Sequence, residues 1–245
     1  VIALGLVAAL LVSVDPGALA ITTGQCNGSD LVVRMTNDGP EPIYADAFLE
    51  APAALHLPRK MISSWLPPGY TRSVPVAVRA ATGTPAGVYH VRVSGKDVPV
   101  TVREPEPSAD LMRLASRVSA SSARAGSGAC AAIDGDPATM WNDGTGKRWP
   151  DWWQMSWDRA QVVGKVEVVT TASWGLRDWD VQVDAGAGWS TVASVRGNVA
   201  VRNLSIFPSL RVKSVRIVTL AGNTVNDQSR LVEVIVSAPY PQRHG

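Results

Sequence analysis

The sequence predicts an all-β chain made of two β-sandwich domains, and three observations carry that prediction. Apolar residues recur at every second position in LVVRMTN (31–37), SVPVAVRA (73–80), GVYHVRVSG (87–95) and DVPVTVRE (97–104). That is the period of a strand with one buried face, and no segment sustains the 3.6-residue period of a helix. Turn-forming residues punctuate these runs at Asn37-Asp38-Gly39-Pro40, Pro67-Pro68-Gly69 and Gly83-Thr84-Pro85, the spacing of an antiparallel sandwich. Arg103-Glu104-Pro105-Glu106-Pro107-Ser108 then breaks the pattern with prolines that cannot join a central strand. Beyond it the two-residue period resumes in KVEVVTT (165–171), WDVQVD (179–184), WSTVASVR (189–196), VKSVRIVTL (212–220) and LVEVIVS (231–237). The reading places one domain at residues 14–103, a Pro/Glu linker at 104–109, a second domain at 110–238 and an aperiodic tail at 239–245.

At 245 residues the chain suits two domains of ordinary size, and 46% apolar with 18% charged residues is the composition of a globular protein with real cores. The formal charge is only +2 and the basic residues are scattered, which argues against nucleic acid as a partner. The opening VIALGLVAALLVSV is shorter than the roughly 17–25 residues that span a bilayer. Residues 1–13 read as the remnant of a signal peptide, hence a secreted protein; the alternative is that part of the run is a first strand. Ala18-Leu19-Ala20 fits a small-residue cleavage pattern, but VDPGALAITTG (14–24) reads as an opening strand and turn, and the two readings compete. Cys26 and Cys130 fall in different domains, so no disulfide framework is expected. Cys130, in GACAAIDGD, reads as a buried free thiol acting as a small hydrophobe.

Of nine tryptophans, eight lie between Trp141 and Trp189, and the first domain has only Trp65. This asymmetry puts the chemistry of interest in the second half. A catalytic reading finds little: the histidines are His56, His90 and His244, without metal-ligand spacing, and no G-x-S-x-G, P-loop or H-E-x-x-H motif occurs. Asp178 and Asp180 alternate with Trp179 and Val181 and read as one solvated strand face, not a catalytic pair. The chain is expected not to be an enzyme.

From about Asp110 to Ser237 the order of motifs resembles a discoidin (F5/8 type C) domain, a galactose-binding-like jelly-roll sandwich found among carbohydrate-binding modules. The residues that carry the resemblance are LASRVSASS, AAIDGDPATMW (131–141), PDWWQMSWDRAQVVGKVEV (150–168), LRDWDVQV, VRIVTL and RLVEVIV. Ser156-Trp157-Asp158 stands where the family has Asp-Leu-Gly. The first half is similar to the immunoglobulin-like domains that accompany bacterial glycoside hydrolases, α-galactosidases among them, on VDPGALAITTG, LVVRMTNDGP, LPPGYTRSVPVAV and TGTPAGVYHVRV.

The resemblance implies reversible glycan binding by the second domain, carried on a spacer and accessory to a glycoside hydrolase, whose catalytic domain is a candidate partner. The alternatives are adhesion to a protein or membrane surface, or the C-terminal fragment of a secreted glycoside hydrolase. Membrane insertion is disfavoured, because the loops set polar residues around isolated tryptophans. The resemblance also implies a structural calcium ion held by Asp134, Asp136, Thr139 and Glu233, oxygen ligands of the type a hard cation requires; a turn in which Asp136 merely caps the backbone is the alternative. Trp152 matches the family's core tryptophan and Trp141 the one ending the DGD motif, and Trp179 and Trp189 are expected to pack inward. Trp149 and Trp174, in Gly-rich connections, are left as rings for a sugar to stack on. Asn142, Asp143, Lys147, Arg148, Arg177, Asp178 and Arg230 are the candidate hydroxyl partners, with a solvated loop or a loop-pinning salt bridge as the alternative for the charged ones.

Overall fold

In the computed structural model, which describes residues 10–106, 110–173, 175–222 and 227–238, the two-residue period is laid out as strands throughout. A 3₁₀ turn at Ala129–Ala132 is the only helical element among the described residues. The chain divides into two compact units, Val1–Pro105 and Glu106–Gly245.

The first unit contains β1 (Leu10–Asp15), β2 (Leu19–Thr22), β3 (Ser29–Asn37), β4 (Ile43–Glu50), β5 (Leu55–His56), β6 (Met61–Leu66), β7 (Thr71–Ala80), β8 (Gly87–Val93) and β9 (Lys96–Arg103). They form a sheet of order β1-β3-β7-β5 and another of order β2-β9-β8-β4-β6, with β2 parallel to β9. Alternation decides which side chains meet. Leu31 and Val33 of β3 stand opposite Val76 and Val74 of β7, and share one buried cluster with Val91, Val93, Val98, Val100 and Val102 of the second sheet. Each such side chain contributes roughly 1.5–3 kcal/mol by leaving water.

Strand β1 pairs with β3 from Leu10, so Leu10–Ser13 of the opening apolar run belong to this unit, while residues 1–9 lie outside the described residues. Ala20 sits inside β2 between the buried Leu19 and Ile21. A cut after it would remove β1 and split β2.

In the second unit the strands are β10 (Arg117–Ala120), β11 (Trp141–Asn142), β12 (Asp151–Val169), β13 (Asp178–Asp184), β14 (Trp189–Val195), β15 (Arg202–Ala221), β16 (Arg230–Leu231) and β17 (Glu233–Ser237). The two long strands, β12 and β15, pair along nearly their whole length, with register shifts between Ser156 and Gln161 and between Val163 and Lys165. Before these irregularities their neighbours are β10 and β13, with β14 beyond; after them β12 pairs with β17. Two strands thus serve both layers of a β-sandwich. β11 and β16 make a separate two-stranded ladder.

The start of β12 corrects the assignment of the core tryptophan. Trp153, Met155 and Trp157 point inward and are buried, whereas Trp152, Gln154 and Ser156 occupy the outer face. Neighbouring residues of a strand take opposite faces, so only one of Trp152 and Trp153 can be core, and it is Trp153. The buried rings of Trp141, Trp153 and Trp157 each donate an indole N–H to a backbone carbonyl, of Ser122 at 2.8 Å, Ala129 at 2.9 Å and Leu111 at 2.8 Å. Trp179 is buried, as expected. Trp189 is not an inward residue: it is half-buried on the outer face, where the Arg216 guanidinium lies 3.9 Å from its ring centroid and 5.0 Å from that of Trp152. Gln154 Oε1 accepts from Arg216 at 2.9 Å, and burial of the guanidinium pulls its pKa down. Such cation–π stacking is worth about 0.5–2 kcal/mol, and it anchors two rings that the core did not need.

The thiol reading is also corrected. Cys26 and Cys130 are both disulfide-bonded and neither is fully buried. Pairing belongs to the folded chain, and the apolar surroundings of Cys130 in the sequence gave no sign of it.

Candidate functional site

Several connections of the second unit meet near the ends of β12 and β15, where backbone hydrogen bonds tie them to one another. Asp143 N–H donates to Ser229 O at 3.1 Å, Arg177 N–H to Ala221 O at 3.0 Å, Asn198 N–H to Arg177 O at 3.0 Å and Thr170 N–H to Val201 O at 2.7 Å. Glycine permits two close approaches here. A Cβ on Gly175 would lie 2.9 Å from Thr171 O, and one on Gly222 would lie 2.8 Å from the backbone of Asp227 and Gln228.

Two buried carboxylates organise the 143–150 loop. Asp143 is completely buried; its Oδ1 accepts the Ser229 N–H at 2.8 Å, and its Oδ2 accepts the N–H groups of Thr145 and Gly146 and the Thr145 hydroxyl. Asp151, at the first position of β12, accepts from the hydroxyls of Ser121, Thr145 and Ser229. Burial raises the pKa of Asp151, and the neighbouring Asp143 charge raises it further, against the lowering effect of those hydroxyls. Asp143, offered from the sequence as a hydroxyl partner, is thus turned away from solvent with both carboxylate oxygens engaged in holding the loop.

The other predicted residues are distributed around this frame. Asn142 is buried in β11 opposite Arg230 of β16, and its Oδ1 has no hydrogen-bond partner among the described residues. Arg230 donates to Gln228 Oε1 at 2.9 Å rather than to an acid. Lys147 and Arg148 are exposed on the Asp143-built loop, with Trp149 half-buried beside them. Arg177 is exposed, whereas the half-buried Asp178 accepts the Gly197 N–H at its Oδ1 and so pins the 196–201 connection. Trp174 lies outside the described residues.

On the proposed calcium ligands the geometry is specific. Asp134 accepts the Asp136 N–H at 3.0 Å and the Thr139 hydroxyl at 2.9 and 2.7 Å to its two oxygens, while Asp136 Oδ1 accepts the Ala138 N–H at 2.9 Å. Gly135 takes the left-handed φ of 77° that the turn requires. Glu233 is held at a pKa of about 7, first by burial and then by the charge of Asp134, although the Gly135 N–H bonds to it. The donor set suits a hard cation, and Asp134 and Glu233 are electrostatically coupled. Yet Asp136 caps the backbone, and among the described residues no group of three or more His, Cys, Asp or Glu side chains is arranged around a common point. The residues fit calcium in chemistry and not, as they stand, in arrangement.

The DGD turn lies between the 3₁₀ turn and β11, and the final strand returns Glu233 to it, where the Gly135 N–H bonds to its carboxylate. Residues 117–234 match the F5/8 type C domain. Among solved structures, the chain is similar to chitosan-binding module 1 of a chitosanase/glucanase from Paenibacillus sp. IK-5, with 24% identity, 53% of this chain and 98% of that one covered, and a TM-score of 0.47. It is also similar to the family 32 carbohydrate-binding module of Clostridium perfringens NanJ in complex with galactose, at 20% identity, 49% and 91% coverage and a TM-score of 0.44. Chitosan-binding module 2 of the Paenibacillus enzyme, in complex with chitotriose, gives 23%, 50%, 95% and 0.45. No curated protein matches the chain.

Within the segment that matches the F5/8 type C domain, sequence reasoning missed Asp151, Ser229 and Thr145, which build the loop frame, and Arg216 with its two tryptophans. Asp151 had a visible signal: an acid at the head of an apolar strand, beside Pro150 and eight residues after another acid. Ser229 and Arg216 had none, being ordinary residues until the strands are paired.

Proposed function

We propose that the loop end of the F5/8 type C domain binds a glycan, non-catalytically, in a secreted protein that serves a glycoside hydrolase, with the first unit acting as an immunoglobulin-like spacer. The observation that carries the reading is Trp149, a half-buried ring on a loop fixed from beneath by the fully buried Asp143. A pre-set ring offers an apolar face to the C–H surface of a sugar without an ordering cost at the moment of binding, and Lys147, Arg148, Arg177 and Arg230 offer donors to its hydroxyls. The F5/8 type C match supports the same reading.

Isothermal titration of the full chain with galactose, chitotriose and a wider glycan panel tests it. Trp149→Ala is expected to weaken the best ligand by at least tenfold with unchanged folding, and Arg148→Ala by less. Saturable binding that both variants retain, or no binding to any glycan by the folded wild type, overturns the proposal.

The calcium proposal has its own readout. Folding raises the Glu233 carboxyl from its ordinary 4.5 to about 7, so the folded chain keeps a proton that the unfolded chain releases. The stability this contributes is whole below pH 4.5 and is lost as pH climbs through about 7. Allowing for the solvent that reaches the group, the loss is on the order of 1–2 kcal/mol. In chelator, Tm is therefore expected to fall between pH 5 and pH 8, and Glu233→Gln to flatten that fall. Millimolar calcium at pH 8 distinguishes a cation site from a capped turn: recovery of Tm in the wild type and not in Glu233→Gln assigns the ion to this turn, and no response to calcium removes it from the account.

A further inference from the structure

The sheet β2-β9-β8-β4-β6 of the first unit turns one face to the core and the other to water. On β4 and β6 the inner face is filled without aromatic residues: Ala45, Ala47 and Leu49 of β4 and Ile62 and Leu66 of β6 are buried. On the outer face of the same two strands, Tyr44 stands directly opposite Trp65 and Phe48 directly opposite Met61. These side chains are 87, 51, 56 and 46% exposed. Asp46 and Ser63, also exposed, face each other between the two pairs. Isolated exposed apolar residues are ordinary on a protein surface; two cross-strand pairs framing a polar pair make a surface with a use. Farther along β4, Glu50 pairs with Arg92 and borders a cleft of about 440 Å³ that His90 also lines.

We propose that this outer face binds an extended, uncharged polysaccharide chain. Tyr44 and Phe48 are four residues apart on one strand, about 13 Å, so the occupant is a chain of several sugar residues and not a single one. Each sugar presents an apolar C–H face ringed by hydroxyls. The rings of Tyr44, Trp65 and Phe48 take the faces, and the Asp46 carboxylate and Ser63 hydroxyl lie where hydroxyls between the stacked residues need partners. An apolar protein surface or an acyl chain covering the same strip would strip water from Asp46 and give it nothing in return. Asp46 and Glu50 set against Arg92 leave the face without the positive excess that an anionic polymer requires. The proposal rests on the first unit alone and is independent of the loop-end site.

The test measures retention of the full chain on microcrystalline cellulose, chitin and starch granules, alongside sedimentation equilibrium. Wild type is expected to be retained by at least one polymer. Tyr44→Ala with Trp65→Ala should reduce retention at least tenfold at unchanged unfolding temperature, Tyr44→Ala alone and Asp46→Ala should reduce it severalfold, and Trp149→Ala should leave it intact. Because β6 is an edge strand, a second copy of the chain is the competing occupant. A dimer that dissociates in the Tyr44/Trp65 variant overturns the proposal. So does retention that the Tyr44 and Trp65 variants leave unchanged, or no retention of wild type on any polymer.

Discussion

Replacing Asp143 by alanine is expected to lower the stability of the second unit by about 3–5 kcal/mol and, on the function proposed above, to abolish glycan binding at the loop end, although Asp143 is buried beneath that surface. Four donors converge on its carboxylate, three of them backbone N–H groups from residues 145, 146 and 229. Removing the acceptor strands those donors out of water, and the cost of such orphaned groups, not the worth of the bonds, sets the magnitude. Lys147, Arg148 and Trp149 ride on the loop so released. Asp143→Asn keeps the shape and one acceptor oxygen, and is expected to cost about half as much. Urea denaturation followed by tryptophan fluorescence, with binding measured in parallel, checks both variants. A stable Asp143→Ala protein with native affinity would show that the loop holds its form by other means.

The adjacent pair Trp152 and Trp153 gives the second large effect, and a contrast within one dipeptide. Trp153→Ala empties a fully buried site and orphans the Ala129 carbonyl, at a cost of about 3–5 kcal/mol. Trp152→Ala removes one wall of the Arg216 stack on the outer face and is expected to cost about 1 kcal/mol. Equal losses in the two variants, measured by chemical denaturation, would contradict the inward assignment of Trp153.

The all-β class, most strands and the F5/8 type C resemblance were legible because each rests on local order: alternation, turn residues and motif sequence. The face a strand residue takes was less legible. In Trp152-Trp153 either phase of the alternation satisfies the sequence, and the choice is made by the pairing of β12 with β15. Trp189 shows the same limit, because on the outermost strand β14 a half-buried ring is held by Arg216, a residue distant in sequence. The strands β4 and β6 went unremarked although Tyr44-Ala45-Asp46-Ala47-Phe48-Leu49 alternates, because its larger side chains are the ones that face water. In the candidate site, Lys147, Arg148 and Trp149 were legible as loop residues of suitable chemistry. The inward turn of Asp143 was not, since it depends on Ser229, which the fold brings from far along the chain.

β12 and β15 run without a break through both layers, and every connection at the loop end starts or finishes on them or on strands paired to them. The frame and the recognition surface are therefore separable in heredity as well as in space. Substitutions at the exposed Lys147 and Arg148 and at Trp149 change what is presented, while Asp143, Asp151 and Ser229 beneath them and the β12–β15 ladder hold the form. In a domain wired in this way, changes confined to the exposed tips leave intact the two strands that set its shape.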